Sequence, residues 1–532
     1  MIETDVLVVG AGPAGLATAI SLKRGGHAGR VVVVDKGRSP GSHVLSGAVM
    51  DPAGFRDLLT DEEIAGLPVT AHVTRESFRF ILGAGASVKI PWVPPMMRAK
   101  GYPVGSLTQV VRYLTALARR LGVEVYTGYA VAELVTRDGV VVGARTGAKG
   151  VGADGRPKAN HLASEEIRAR VTVLAEGGAG VLTDRLIAAK GLQGRRPQSY
   201  AIGVKELIEL PEPVEGSGGT IMHTFGYPVD MGTYGGGFVY HVSDSCVMVG
   251  YALGLDYAKA ETDVHALFCR YKATRAVQAH IRGGKAVAYG AKVIPEGGYY
   301  ALPTPYAPGV LVVGDGAGLL DGLRIKGIHI AIQSGIAAAQ AIRECPDAAA
   351  LGPAYLRLLK RTKGYREVKR VKNVHGGFTY GAPFGVAMAG LAWATFGKLP
   401  FWMFGKRHKD SETLRPMSAR TAPTPLPAAC AAAPQLFPDR LTDVFMSGTL
   451  HEEDQPCHVK VLDPEKCAAC ARKFGSPCTR FCPAEVYVRE DGRLRVDFSN
   501  CLHCKTCKIK CPYANVDWTF PQGGDGPRYT RM

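Results

Sequence analysis

The stretch from Asp5 to Asp35 limits the possible fold more than any other part of the chain. Asp5-Val6-Leu7-Val8-Val9 is a short apolar run with the β-branched content of a strand buried on both faces. It leads into Gly10-Ala11-Gly12-Pro13-Ala14-Gly15 and then a helical stretch, Leu16 to Arg24. The first glycine of such a turn permits the tight bend, and the second lets the backbone approach a pyrophosphate. The third lets the helix pack closely on the strand, with its amino terminus aimed at the anion. A second apolar run, Val31 to Val34, ends at Asp35, twenty residues past Gly15, where a carboxylate can accept a bond from a ribose hydroxyl. Glycines alone would read as an ordinary turn, but strand, glycines, helix, strand and acid in this order predict a dinucleotide site. The candidate contacts are Gly10, Gly12, Pro13, Ala14, Gly15 and Asp35, with Lys36 beside them.

Later segments favour FAD over NAD. Val171-Thr172-Val173-Leu174-Ala175-Glu176-Gly177 is a strand ending in a small-residue turn. Gly309-Val310-Leu311-Val312-Val313-Gly314-Asp315 is another, followed by the helix-like Gly327 to Ile342. Flavoproteins of the glutathione-reductase type use such segments to close on the ribityl chain and isoalloxazine. Gly314, Asp315 and Gly327 are therefore candidate FAD contacts, the plainer reading of Asp315 being a helix cap.

Of thirteen cysteines, eight lie between Cys467 and Cys511. A buried strand begins by position 6, so no cleaved export segment is expected, and with it no disulfides. Dense cysteine then reads as metal binding. Cys501-x2-Cys504-x2-Cys507-x3-Cys511-Pro512 matches the bacterial ferredoxin run, and Cys467-x2-Cys470-x7-Cys478-x3-Cys482-Pro483 is a variant of it. In two-cluster ferredoxins the fourth cysteine of each run ligates the other cluster. Cys482, Cys501, Cys504 and Cys507 would thus hold one 4Fe–4S cluster, and Cys467, Cys470, Cys478 and Cys511 a second. Zinc is the rival, but the Cys-x2-Cys-x2-Cys core and the Cys-Pro endings argue for iron and sulfide. Cys246, Cys269, Cys345, Cys430 and Cys457 read as small buried hydrophobes.

The formal charge is +17, yet no lysine- or arginine-rich block forms a nucleic-acid arm, so none is expected as partner. From Gly376 to Gly397 there is no charged residue, while Lys363, Arg366, Lys369, Arg370 and Lys372 precede the run and Lys398, Lys406, Arg407 and Lys409 follow it. Basic flanks on both ends, six glycines and Pro383 argue against spanning. A crossing would also separate the flavin from the cysteine module. With Phe401-Trp402-Met403-Phe404, the region reads as a monotopic segment lying in one leaflet, the alternative being a buried core helix. Ile90-Pro91-Trp92-Val93-Pro94-Pro95-Met96-Met97 would complete a membrane-facing plateau around a quinone entrance.

Taken together, the chain resembles the electron-transfer flavoprotein:quinone oxidoreductase family from about Asp5 to Tyr529. The resemblance lies in Leu45-Ser46-Gly47-Ala48, Tyr234-Gly235-Gly236 running to Tyr240-His241, Gly283-Gly284-Lys285, Ala288-Tyr289-Gly290-Ala291 and Lys326-Gly327. It extends to Ser447-Gly448-Thr449, Asp454-Gln455-Pro456 and Cys501-Leu502-His503-Cys504-Lys505-Thr506-Cys507. It implies an α/β FAD-binding domain of the glutathione-reductase type, an inserted α+β quinone-binding domain and a carboxy-terminal ferredoxin-like domain. The expected boundaries are 1–200 for the first part of the FAD domain, with a membrane-facing patch near 78–100, then 201–300 for the quinone domain and 301–345 for the last part of the FAD domain. A membrane-associated helical segment and linker would cover 346–445, and the iron–sulfur domain 446–532. The resemblance also places Ser46 at the FAD and Gly235 and Gly236 beside quinone, where a plain turn before a strand is the bland reading. Its one usual cluster falls on Cys482, Cys501, Cys504 and Cys507, so Cys467, Cys470, Cys478 and Cys511 depart from the family pattern.

The expected activity is transfer of electrons from reduced electron-transfer flavoprotein through 4Fe–4S and FAD to ubiquinone or menaquinone. The expected place is the cytoplasmic face of a bacterial inner membrane. Two rivals stand beside it: a ferredoxin-linked prenyl-chain reductase of the geranylgeranyl type, and a scaffold with vestigial cofactors.

Overall fold

The computed structural model describes residues 2–372, 374–378, 380–398, 408–417 and 425–532. Phe401-Trp402-Met403-Phe404, Lys406 and Arg407 lie outside them. The β-branched runs form a parallel sheet at the heart of the chain. Its central strands run in the order Val310–Val312, Glu166–Leu174, Ile2–Val9, Val31–Asp35 and Glu124–Thr127. These neighbours are all parallel, with Val6 facing Val171 on one side and Val31 on the other. An antiparallel hairpin, Val131–Arg137 with Val140–Thr146, joins the edge of Glu166–Leu174. Helices Pro13–Arg24 and Ile328–Glu344 pack together in the same core, so the late glycine-rich segment returns to the first strand.

A second sheet of seven strands holds the remaining long strands. In order they are Lys285–Pro295, Tyr200–Glu209, Cys246–Gly254, Gly235–His241, Thr220–Gly226, Arg75–Gly83 and Ala86–Lys89. The last two come from a segment grouped by sequence with the first part of the FAD domain. Instead Arg75–Gly83 pairs in parallel with Thr220–Gly226, and the other pairings are antiparallel. The inserted sheet is thus assembled from two separate stretches, because the partner of Thr220–Gly226 arrives about 140 residues earlier, as in the pairing of Ile221 with Glu76.

The cysteine-rich module has two short antiparallel pairs, Val459–Val461 with Val516–Trp518 and the hairpin Tyr487–Glu490 with Arg493–Val496, around the helix Pro464–Phe474 and two single-turn helices. It does not stand apart. Its Phe481, Tyr487 and Trp518 share one continuous core with Ile202, Val249 and Tyr289 of the seven-stranded sheet.

The segment expected to be a separate membrane-associated unit is divided. Helices Ala348–Arg361 and Lys363–Arg370 bury Leu351, Tyr355, Leu359 and Val368 in the nucleotide-domain core. Val374–Phe378 and Ala382–Ala394 follow as two short helices. Among the described residues no helix is long and apolar enough to cross a membrane.

Candidate active site

The end of the first strand makes the first wall of the site. Gly10 sits at φ +111°, and a Cβ there would lie 2.4 Å from the Ala175 carbonyl oxygen. A Cβ on Gly15 would strike the Gly10 carbonyl oxygen at 2.0 Å, so this glycine lies behind the loop and lets the helix close on the strand. Gly12 differs: nothing lies within 4 Å of the position its Cβ would take. That open space is where an anion can meet the backbone at the amino end of Pro13–Arg24. Asp35 braces the same loop, accepting from the Ala11 N–H at 2.8 Å and the Gly37 N–H at 2.7 Å.

From this cradle a single cavity of about 820 Å³ extends through the protein. Gly10, Gly12, Pro13, Ala14, Asp35, Lys36, Ser46, Gly314, Asp315 and Gly327 all line it, as do Gly235 and Gly236. Sequence positions more than 300 apart are thus brought to one surface, and of the expected FAD and quinone contacts only Gly15 stands outside the lining. Burial pushes the Asp315 carboxyl up to about 6, against the opposing pull of Lys292.

Sequence reasoning missed the charge of this cavity. Lys36, Lys205, Lys292, Lys326 and Lys505 all line it. Burial lowers each ammonium pKa, to about 7 for Lys205 and about 8 for Lys326 and Lys505. Lys205 donates to the Ser46 carbonyl oxygen at 2.6 Å and Lys292 to that of His43 at 3.1 Å. Lysines lining a cavity that begins at an open phosphate cradle suit an anionic dinucleotide, whose charge would favour their protonated forms. Lys36, beside Asp35, and the Lys326-Gly327 and Cys504-Lys505 pairs carried a sequence signal, whereas Lys205 and Lys292, on separate strands, have no spacing that links them.

At the far end the cavity turns apolar. Gly235 and Gly236 lie within the strand Gly235–His241, paired with Leu253 and Ala252, so they are strand residues and not a turn before one. Neighbouring His223 is buried with Nε2 2.6 Å from the Tyr240 hydroxyl, and burial pushes its imidazole pKa down to about 3. Phe80, Ile90, Trp92, Met231, Phe378 and Val386 form the mouth. Trp92 is 64% exposed there, and Pro95–Met97 forms a single helical turn beside it. The Tyr234 ring, next to the paired glycines, packs edge-on against Phe378 at 4.9 Å.

The cysteine module meets the opposite wall. Cys482, Cys501, Cys504 and Cys507 are all buried. Burial and mutual proximity push the Cys501 thiol up to about 12, Cys504 being its main neighbour and Cys482 another. The buried Tyr487 hydroxyl lies against the Cys507 sulfur and the buried Trp518 indole N–H against that of Cys501, and neither reaches an oxygen or nitrogen acceptor. Buried donors aimed at the sulfurs of four thiols suit a cluster, whose cysteine sulfurs and sulfides accept such bonds. Within the cluster loop, His503 Nδ1 lies 3.2 Å from Lys36 Nζ, and Lys505 donates to the Ala179 carbonyl oxygen at 2.8 Å. The loop therefore touches the nucleotide cradle directly.

A nucleotide cradle, a buried cysteine quartet pressed on its wall and an apolar channel leading away define a flavin- and iron–sulfur-dependent oxidoreductase. Residues 5–64 match the FAD binding domain, 200–294 the ubiquinone-binding domain of ETF-QO, and 434–530 the 4Fe–4S domain of electron transfer flavoprotein-ubiquinone oxidoreductase. The chain belongs to the electron transfer flavoprotein-ubiquinone oxidoreductase family. It is 36% identical to the mitochondrial member from Dictyostelium discoideum, covering 100% of this chain and 91% of that one. It is also 36% identical to the Pseudomonas aeruginosa member, covering 100% and 99%. A solved geranylgeranyl bacteriochlorophyll reductase-like protein from Thermoplasma acidophilum shares the fold at a TM-score of 0.55 and 19% identity, over 75% of this chain and 92% of that one.

Proposed function

We propose that this chain takes electrons from reduced electron-transfer flavoprotein and reduces membrane ubiquinone to quinol. One observation carries the reading: a single cavity joins the nucleotide cradle to an apolar mouth, while the loop bearing Cys501, Cys504 and Cys507 touches the cradle wall. FAD, when bound, supplies a two-electron store that can be filled one electron at a time. The protein's part is to bind, orient and shield. The loop from Gly10 to Gly15 and the helix behind it would hold the pyrophosphate. Gly314, Asp315 and Gly327 would face the ribityl side, in the manner of the glutathione-reductase type, which the run of five parallel strands supports. Cys482, Cys501, Cys504 and Cys507 would ligate the 4Fe–4S cluster. Gly235 and Gly236 present bare backbone to the channel, so a quinone ring can lie against the strand.

The mouth suits a partner drawn from the lipid phase. Trp92, Tyr380, Phe384, Val386, Leu391 and Phe396 are all exposed large apolar side chains. With Lys363, Arg366, Lys369, Arg370, Lys372 and Lys398 nearby in sequence, they suit monotopic attachment to an anionic surface. A quinone would then enter without passing through water.

The test is anaerobic turnover of purified, FAD-loaded enzyme with reduced electron-transfer flavoprotein and a short-chain ubiquinone, products being resolved by chromatography. Quinol formation is expected, and Gly235→Leu should raise the quinone KM at least tenfold while FAD content stays the same. Saturation of a polyprenyl lipid in place of quinol would overturn the proposal.

A further inference from the structure

The established family pattern leaves four cysteines of this chain without a task. Helix Pro464–Phe474 carries Cys467 and Cys470 three residues apart, hence on one face. It ends at Gly475, whose φ of +64° turns the chain back so that Cys478 opens the next helical turn. Cys511 arrives from the far end of the module. Asn515 ties the distant members together: its backbone N–H donates to Cys511 Sγ at 3.3 Å, and its side-chain amide donates to Cys467 Sγ at 3.3 Å. Cys470 and Cys478 each lie in the electrostatic field of both Cys467 and Cys511. The four sulfurs therefore converge around Asn515.

The two quartets are built by the same device. Cys478–Phe481 and Thr506–Lys510 are single-turn helices. The Cys482 N–H donates to the Cys478 carbonyl oxygen at 3.2 Å, and the Cys511 N–H to that of Cys507 at 3.1 Å. Each turn hands one thiol to the inner quartet and one to the outer, and four residues of helix rise separate them by about 6 Å. Cys467, Cys478 and Cys511 are half-buried, whereas all four inner cysteines are buried.

We infer that Cys467, Cys470, Cys478 and Cys511 bind a second 4Fe–4S cluster, the outermost redox group of the protein. The assignment rests on the function proposed above only for the direction of electron flow. The outer site would hold one electron at a time, taken from reduced electron-transfer flavoprotein and passed inward. Two such passages, with two protons from solvent, match one quinone reduced to quinol. Asn515 stabilises the thiolates through its two N–H donors and so is a positioning residue.

Iron, zinc and acid-labile sulfide per FAD, measured on enzyme purified anaerobically and reconstituted with ferrous iron and sulfide, test this directly. About eight irons per FAD are expected, with EPR signals of the reduced protein broadened by two neighbouring spins. Cys470→Ser should fall to about four irons and a single unbroadened signal, with FAD content unchanged. Asn515→Ala should keep the iron but shift the potential of one signal only. About four irons in the wild-type protein after reconstitution, or zinc in the outer site, would overturn the assignment. Quinone reduction by the same four-iron protein would leave the proposed function standing, whereas eight irons without quinone reduction would remove that function and keep the second cluster.

Discussion

His223 shows how one buried side chain ties the apolar end of the cavity to pH. Its ring is buried, pairs with the Tyr240 hydroxyl at 2.6 Å, and is held down to about 3 chiefly by desolvation. The folded pKa is depressed below the unfolded value near 6.5, so the stability it contributes is present above pH 6.5 and lost as pH falls towards 3. His223→Gln keeps an acceptor for Tyr240 but cannot take up a proton. Between pH 6.5 and 4 the wild-type unfolding free energy should drop by roughly 3 kcal/mol more than that of the variant, as read by urea titration at each pH. Parallel pH profiles for the two proteins would rule out His223 as the titrating group. At this scale the sequence was informative where chemistry is local. Gly10, Gly12 and Gly15 sit within one strand–turn–helix, and their separate duties follow from their order. Lys205 and Lys292 were not legible, because each comes from a different strand and only the folded cavity brings them to Lys36, Lys326 and Lys505.

At the scale of elements, the uncharged run from Gly376 to Gly397 is the instructive case. Its length suits a bilayer span, but Gly381, at φ +99°, separates Val374–Phe378 from Ala382–Ala394. Thirteen residues of helix reach only about 20 Å, short of the roughly 30 Å of hydrocarbon. The helix keeps Met388, Ala389 and Ala392 buried and leaves Phe384, Val386 and Leu391 exposed. Inserting those side chains into lipid would be worth roughly 2 kcal/mol each. Val386→Asp with Leu391→Asp should weaken sedimentation with anionic vesicles at least a hundredfold and leave the FAD content unchanged. The basic flank predicts that raised salt also weakens wild-type binding, since each cation contributes about 1 kcal/mol near an anionic surface. Unaltered vesicle binding by the double variant would move the contact surface elsewhere. Composition and charge pointed to this segment, but where it breaks depends on the backbone of one glycine. The partner of Thr220–Gly226 was likewise hidden, because a parallel pairing over such a separation carries no local signal.

For the whole molecule, three domains read in linear order become an interlocked body. The strand pair Arg75–Gly83 and Ala86–Lys89 leaves the first domain to join the second sheet, and the carboxy-terminal Met532 carbonyl returns to accept from Ser106 Oγ at 2.9 Å in the first. The iron–sulfur module completes the core of the quinone sheet. Tyr289 of that sheet donates to the Pro483 carbonyl oxygen at 3.1 Å, immediately after Cys482. The buried Lys272 contacts Glu206 at 2.6 Å and also donates to Leu436 at 2.8 Å, fastening the sheet to the segment that leads into the module. A core shared in this way cannot lose one side without exposing the other, and a metal site absent from the unfolded chain adds its binding energy to folding. Stripping iron by anaerobic chelation should therefore loosen Tyr200–Glu209 and Lys285–Pro295, which contain no metal ligand. Calorimetry should show the quinone sheet and the cluster module melting as one transition, lowered by at least 10 °C once iron is removed. Hydrogen exchange should rise in those two strands more than in Ile2–Val9, whose core is separate. Exchange confined to residues 459–518 would show instead that the module opens alone, and the buried contacts at Tyr289 and Lys272 would then carry little of the fold's cooperativity.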